Sequence, residues 1–179
     1  SVNCIFIRQP VAKGLGHAVF CANSVIQGEP FAVVLPDDLI HAEQDGCLSQ
    51  MIEIYNTTGK SVLAVEKVEG PDISKYGVIQ TENFENRLGK IQTIVEKPPF
   101  DSAPSDLGVV GRYILSFNLM EILRNLPPGR GGEIQLTDGI SRLLESEDIN
   151  AYEFQGTRYD CGSKLGFLQA NIALGVKSD

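Results

Sequence analysis

Short apolar runs alternate along the chain with stretches in which apolar residues recur every three or four positions. The runs have the length of β-strands, and the three- and four-residue spacing is the period of a helix that buries one face. Strands that alternate with helices are typical of an α/β fold with helices on both sides of a parallel sheet. The pattern therefore predicts a single α/β domain over residues 1–179, built on a mixed, mostly parallel sheet flanked by helices.

Seven segments carry the strand pattern. The run at 31–36 is continuously apolar, as in a strand covered on both faces. The two strands on either side of the polar stretch 82–89 are expected to form a hairpin. The predicted strands are NCIFIRQ (3–9), FAVVLP (31–36), SVLAVEKV (61–68), YGVIQT (76–81), KIQTIVEK (90–97), VVGRYIL (109–115) and AYEFQ (151–155).

Five segments carry helical periodicity. Gly59 is placed to end the second helix in a left-handed turn, and Ser116 is a suitable N-cap for the third. The sequence LPPGRGG (126–132) breaks the chain before the fourth helix. The predicted helices span apolar positions 15–26, 48–57, 119–126, 136–144 and 165–172.

Composition narrows the classes of partner. A net charge of −8 and a pI near 4.8 argue against a nucleic-acid or membrane surface, because both need clustered Lys and Arg. No apolar run reaches the roughly 20 residues of a membrane span, and no signal-peptide pattern is visible, so we expect a cytoplasmic protein. The four cysteines form no CxxC pair, which predicts reduced core thiols.

Residues that follow strands are the first candidates for chemistry, because α/β sheets bind ligands beyond the carboxyl ends of their strands. Asp37 and Asp160 follow two separate predicted strands, and their hard oxygen ligands suit Mg²⁺ that is shared with substrate phosphates. Lys97 ends another strand and can neutralise phosphate charge. Gly14 and Gly16 leave room for a ligand to approach the backbone ahead of a helix.

Each of these features also has a purely structural interpretation. A Gly-x-Gly pair is often only a turn, and no third glycine completes a dinucleotide-binding fingerprint. Asp37 and Asp38 can cap a helix or form a turn, and Glu96 with Lys97 can be a solvated strand end. The loop GRGGE (129–133) lacks the Lys-Ser/Thr ending of a phosphate-binding loop.

Seven motifs, in order and spacing, resemble one protein family. They are RQPVAKGLGHAV (8–19), VVLPDD (33–38), YGVI (76–79), VEKP (95–98), VVGRYIL (109–115), GGEIQLTDGI (131–140) and YDCGSKLGF (159–167). The chain resembles the bacterial UTP–glucose-1-phosphate uridylyltransferases, a branch of the sugar-1-phosphate nucleotidyltransferases. The resemblance implies a Rossmann-like, glycosyltransferase-A-like domain that converts UTP and glucose 1-phosphate to UDP-glucose and pyrophosphate with Mg²⁺. It also implies a homo-oligomer, either a dimer or a tetramer.

The resemblance assigns expected roles to individual residues. Asp37 and Asp160 would hold Mg²⁺ between the nucleotide and sugar phosphates, and Lys97 would contact glucose 1-phosphate. The remaining substrate-binding positions are Gln9 at the uracil edge, Gly14 against the base, Tyr76 and Gly77 beside the glucose ring, Glu96 at the sugar hydroxyls and Val109 at the sugar.

The family begins with a strand and a glycine-rich loop bearing an arginine, and neither is found in this sequence. We therefore expect the chain to be the C-terminal two-thirds of a parent domain, incomplete at its N-terminus and inactive by itself. Two alternatives remain open. One is a related enzyme that uses another sugar phosphate or nucleotide, and the other is a non-catalytic module that binds sugar nucleotides.

Overall fold

Six strands form a mixed sheet, and two short strands form a second sheet beside it, in a computed structural model that describes residues 2–176. Ser1 and residues 177–179, the ends of the predicted domain, lie outside the described range. The strands are β1 (Phe31–Val34), β2 (Asp38–His41), β3 (Ser61–Lys67), β4 (Gly77–Glu85), β5 (Leu88–Glu96), β6 (Leu107–Leu115), β7 (Ile149–Glu153) and β8 (Thr157–Asp160). The helices are α1 (Leu15–Phe20), α2 (Asn23–Ile26), α3 (Cys47–Thr58), α4 (Asn118–Asn125), α5 (Leu136–Leu143) and α6 (Lys164–Gly175).

The main sheet has the strand order β1-β6-β3-β7-β5-β4, and β4 also pairs with β6 through Val78 and Gly108. Among the described strands only β3 and β7 pair in parallel, and every other pair is antiparallel. The prediction of a mixed sheet flanked by helices is confirmed, but the expectation of mostly parallel strands is wrong. The alternation of apolar runs with helices specifies which segments are strands and leaves their direction open.

The β4–β5 hairpin is confirmed, although its strands run further than expected. They extend through most of the polar stretch 82–89, and the turn is confined to Asn86 and Arg87, both with positive φ. Positive φ at both central residues is the conformation that tight hairpin turns require. The polar residues of this stretch are solvent-facing positions of strands rather than a loop.

Strand β3 shows how the sheet divides the core. Leu63 and Val65 point to a cluster formed with α1, α4 and α5, whereas Val62 and Ala64 point to a cluster formed with α3. Successive side chains of a strand face opposite sides, so one continuous apolar run supplies both cores. Helices therefore cover both faces of the sheet, as the pattern predicted.

Two strand predictions need correction. Residues 3–9 form no strand, and most of their side chains are exposed. FAVVLP is a strand only over Phe31–Val34, and its pattern alternates rather than being covered on both faces, with Val34 49% exposed. The reason is position: among the described strands, β1 pairs only with β6, so it lies at the edge of the main sheet.

The helix predictions hold with changes at the ends. The first predicted helix divides into α1 and α2 around Cys21 and Ala22. Gly59 ends α3 in the left-handed conformation, as predicted, with φ 66°. Ser116 does not cap α4, because its hydroxyl donates to Glu147 Oε2 at 2.8 Å.

Within residues 2–176, none of the helices combines the length and apolar composition that crossing a bilayer requires.

The four cysteines are free thiols, as predicted, but only Cys47 is buried, so the expectation that all lie in the core is wrong.

Candidate active site

A cavity of about 390 Å³ opens where the ends of β1, β5 and β8 meet the starts of β4 and β6. Because β4 and β6 run against their neighbours, this edge of the molecule collects both beginnings and ends of strands. Seven of the nine predicted site residues line the cavity: Asp37, Tyr76, Gly77, Glu96, Lys97, Val109 and Asp160. The other two, Gln9 and Gly14, belong to a loop beside it.

The carboxylates of Asp37 and Asp160 converge at this cavity. A Cβ atom placed on Gly162 would lie 3.2 Å from Asp37 Oδ2 and 3.1 Å from Asp160 Oδ1. Both oxygens therefore border the same point, and only a residue without a side chain leaves that point open. The prediction that these two residues, far apart in sequence, meet in space is confirmed.

The turn after β8 aligns the two acids. Asp160 lies opposite Asp38 in the antiparallel β2–β8 pair, and Cys161 N donates to Asp37 O at 2.7 Å. The backbone of Gly162 donates to Asp160 Oδ1 at 3.1 Å. The motif YDCGSKLGF thus places one carboxylate beside the other through its backbone.

Hydrogen bonds at the N-terminus of α6 hold this turn in place. Ser163 is the N-cap: its hydroxyl accepts from Gly166 N and donates to Asp160 O, both at 3.0 Å. A Cβ on Gly166 would come within 2.1 Å of Asp160 O, so the helix reaches β8 only because this residue is glycine. The second glycine of the motif therefore has a packing role.

Asp38 differs from its neighbour, because it is buried and bound to Arg158. The guanidinium donates to Asp38 Oδ1 and to Glu66 Oε1, each at 2.5 Å, and to the Tyr76 hydroxyl at 3.0 Å. The other Asp38 oxygen accepts from Gly111 N at 2.6 Å. Asp37 is exposed at the cavity, whereas Asp38 belongs to the structure that supports it.

The charges of this cluster are partly compensated. Burial raises the pKa of Glu66, while the charge and hydrogen bond of Arg158 oppose that rise. Burial tends to lower the pKa of Arg158, but the hydrogen bond to Tyr76 and the charges of Asp38 and Glu66 hold it above its usual value. The side chain of Arg158 is only 8% exposed, so its positive charge is balanced by these partners rather than by water.

The opposite wall of the cavity carries Gly77, Glu96 and Lys97. Thr137, from α5, donates to Glu96 Oε2 at 2.6 Å, and Lys97 Nζ lies 3.5 Å from Glu96 Oε1. Lys97 has a positive φ of 45°, which non-glycine residues rarely adopt, and its N–H donates to Tyr76 O at 2.9 Å. This backbone conformation directs the chain out of β5 at the cavity.

The loop at residues 9–16, which runs into the first residues of α1, lies next to the cavity, and its residue Leu15 lines the cavity together with Glu133. Gly16 N donates to Ile134 O at 2.9 Å, and Ile134 N donates to Lys13 O at 2.7 Å. Gly14 has φ 95°, and a Cβ there would lie 2.7 Å from Ile134 O. Both glycines are therefore required for the loop to pack on the backbone before α5.

Sequence reasoning missed three residues at this site: Arg158, Asp38 as its partner, and Thr137. A charged residue two positions before Asp160 on the same strand was a signal for Arg158, because alternate residues of a strand share a face. Thr137 had only its place in the EIQLTD motif as a signal. Asp38 was noticed merely as the second of two acids.

The comparison with protein families agrees with this geometry. Residues 1–175 match the model of the family described as nucleotidyl transferase, and the chain belongs to that family.

Several known proteins are similar to the chain. It is 41% identical over 177 residues to UTP–glucose-1-phosphate uridylyltransferase 1 of Staphylococcus saprophyticus, covering 99% of the chain and 61% of that protein. It is 44% identical over 184 residues to UTP–glucose-1-phosphate uridylyltransferase of Escherichia coli K12, covering 98% of the chain and 60% of that protein. The chain thus spans about three-fifths of the length of these curated relatives.

The fold is also similar to that of a solved structure described as UDP-glucose pyrophosphorylase complexed with UDP-glucose. The TM-score is 0.92 at 43% identity, and the match covers 96% of the chain and 65% of that protein. A high TM-score at this level of identity confirms the α/β nucleotidyltransferase fold that the motifs implied.

Proposed function

We propose that the protein containing this chain transfers a uridylyl group from UTP to glucose 1-phosphate, giving UDP-glucose and pyrophosphate with Mg²⁺. The observation that carries the proposal is the convergence of Asp37 and Asp160 on Gly162, at a cavity that Lys97 and Glu96 also line. Membership of the nucleotidyl transferase family and the names of the similar proteins support the same reaction.

The donor set of the two acids suits Mg²⁺. This ion usually takes one or two carboxylates and completes its shell with water and phosphate oxygens. Among the described residues no cluster of three or more His, Cys, Asp and Glu side chains is arranged around a metal, so an all-protein cage is not part of the proposal. Bound between Asp37 and Asp160, Mg²⁺ would neutralise phosphate charge during the transfer.

The chain's own residues bind and orient the sugar phosphate. Gly77 leaves the floor of the cavity open beside Glu96, since a Cβ there would lie 3.2 Å from Thr137 Oγ1, the group that holds the Glu96 carboxylate. The Glu96 carboxylate accepts hydrogen bonds from sugar hydroxyls, and Thr137 holds it in one orientation. Lys97, with a half-exposed side chain, places its ammonium group where the sugar phosphate carries its charge.

The transfer requires alignment more than covalent participation by the protein. An oxygen of glucose 1-phosphate attacks the α-phosphorus of UTP, and the bond to the leaving pyrophosphate breaks. The attacking oxygen is already anionic, so no general base is needed. The contribution of these residues is to hold two negatively charged substrates in line and to balance their charge.

Asp37→Asn in the full-length protein tests the proposal. Turnover of UTP and glucose 1-phosphate should fall by roughly 10²–10³-fold, as when one group that stabilises transition-state charge is lost. The melting temperature should stay near that of the wild type, because Asp37 is exposed. Glu43→Gln, at a separate cavity, is the matched control and should leave turnover unchanged. Wild-type turnover in Asp37→Asn would refute the assigned role.

Substrate choice is tested by assaying UTP, dTTP, ATP and CTP, each with glucose 1-phosphate. The proposal expects the highest kcat/KM with UTP. A clear preference for another nucleotide would assign the protein to a different branch of the family, and binding of UDP-glucose without turnover of any pair would identify a binding module. Cytoplasmic location and a homo-oligomer stay predictions, and light scattering of the full-length protein tests the second.

A further inference from the structure

Gln9 makes two hydrogen bonds with a single atom of its amide. Nε2 lies 3.1 Å from the backbone oxygen of Gly14 and 2.9 Å from Nδ1 of His17. A backbone carbonyl can only accept, so the amide atom that faces Gly14 must be the nitrogen. The orientation of the Gln9 amide is therefore determined by its surroundings.

This orientation also determines the state of His17. The Gln9 NH₂ group has two hydrogens, and Gly14 O takes one of them. The second is available to His17 Nδ1 at 2.9 Å, and because an amide nitrogen cannot accept, this contact assigns His17 the Nε2–H tautomer. Both donors of Gln9 are in use, and only its Oε1, an acceptor, is left to meet a ligand.

The loop that carries these groups is held in place from the other side. Gly14 and Gly16 pack against the backbone of Ile134, and the next residue of the loop, Leu15, lines the cavity. His17 lies on α1, directly after these glycines. A rotation of the Gln9 amide would lose both hydrogen bonds, so the acceptor Oε1 is presented in a defined position.

We propose that His17 is a positioning residue that sets the base specificity of the site by occupying the second N–H of Gln9, so that only the acceptor Oε1 is left for the base. The proposal rests on the proposed function and on the expectation, implied by the family resemblance, that Gln9 contacts the base of the nucleotide. Uracil has an N–H at position 3, whereas cytosine has a lone pair there. An amide that offers only an acceptor pairs with the first base and repels the second. Thymine shares the N–H of uracil, so this device separates UTP from CTP and not from dTTP.

The test compares kcat/KM for UTP and CTP in the full-length protein. His17→Phe keeps a ring but removes the acceptor of the second Gln9 N–H, which leaves Gln9 with a donor as well as an acceptor for the base. The UTP/CTP ratio should fall about tenfold, the effect of losing one hydrogen bond with a partner left unpaired. His17→Asn places an oxygen near the position of Nδ1 and should restore most of the ratio. His41→Phe changes the other of the two histidines, at a separate cavity, and should leave the ratio unchanged.

A second measurement separates this proposal from the proposed function. Nitrogen-15 NMR of the ligand-free protein should show His17 as the Nε2–H tautomer near neutral pH, and UDP should bind more tightly than CDP in a titration. Both results are expected even if no UDP-glucose is formed, and neither depends on the folding of a variant. An Nδ1–H tautomer, equal binding of UDP and CDP, or an unchanged UTP/CTP ratio in folded His17→Phe would overturn the proposal.

Discussion

The two sides of the candidate site are built in different ways. One side, which we call the charged wall, is the cluster of Asp38, Glu66, Tyr76 and Arg158, joined by side-chain hydrogen bonds from strands β2, β3 and β8 and from the residue before β4. The other side is the loop at residues 9–16, which rests on the backbone around Ile134. The first depends on paired charges, and the second depends on the absence of side chains.

Because the two sides are held differently, substitutions in them are expected to change different properties of the protein. In the charged wall, removal of one partner leaves a buried charge uncompensated, so the free energy of unfolding should fall. In the loop, a substitution moves the backbone next to the cavity, so the cost is expected mainly in nucleotide binding.

Arg158→Leu should lower the free energy of unfolding by about 3 kcal/mol, because it leaves the buried Asp38 and the partly buried Glu66 without their cation. Urea unfolding followed by circular dichroism measures the loss. Arg142→Leu is the matched control: its pair with Glu145 at 3.2 Å is exposed and should contribute less than about 1 kcal/mol. Equal losses in the two variants would show that the charged wall is not held by its charges.

Gly14→Ala should cost about 2 kcal/mol through its strained φ and the contact of the new Cβ with Ile134 O at 2.7 Å. The displaced loop should also raise the KM for UTP more than that for glucose 1-phosphate. Gly28→Ala is the control, because Gly28 has a similar φ of 88° and nothing within 4 Å of its Cβ position. If both variants lose the same stability, the packing on Ile134 contributes nothing.

Lys97→Ala should raise the KM for glucose 1-phosphate by about tenfold, the loss of one charge-assisted contact, and change the KM for UTP much less. Steady-state kinetics with each substrate varied in turn measures the split. A split opposite to that of Gly14→Ala would distinguish the loop at residues 9–16, where the nucleotide is expected, from the wall that carries Lys97, where the sugar phosphate is expected. Equal effects on both constants would count against a specific phosphate contact.

Glu66 carries the smallest expected effect, a change in the pH dependence of stability. Burial holds its pKa above the usual carboxyl value, so the folded state keeps the proton longer than the unfolded state does. The stability that this group contributes is complete at low pH and is lost as the pH rises through the folded pKa. Relative to wild type, Glu66→Gln should become more stable as the pH increases from about 4 to 7. A stability difference independent of pH would contradict this prediction.

The sequence predicted the helices and the long strands well, because burial on one or both faces leaves a period in the apolar residues. Strands β2 and β8 were not predicted, because DLIH and TRYD are four residues long and carry too few apolar positions to show a period. Strand direction was mistaken because local patterns contain no information about which strands become neighbours. These failures concern long-range pairing.

The candidate site shows the same division. Asp37, Lys97 and Asp160 were found because they follow apolar strands and match family motifs, and the structure brings them to one cavity. Nothing near Asp37 and Asp38 in the sequence distinguishes their environments. Asp38 is the buried partner of Arg158, which is 120 residues away in the sequence. The contribution of Thr137 likewise depends on α5 packing beside β5.

The pairing of β2 with β8 has a consequence for how the protein is made. Asp38 and Arg158 are 120 residues apart, and a ribosome that adds about 5–20 residues per second needs roughly 6–24 s to synthesise the intervening chain. Throughout that interval Asp37 has emerged without Asp160. The β2–β8 pair, and with it the approach of Asp160 to Asp37, can therefore form only after β8 has been synthesised.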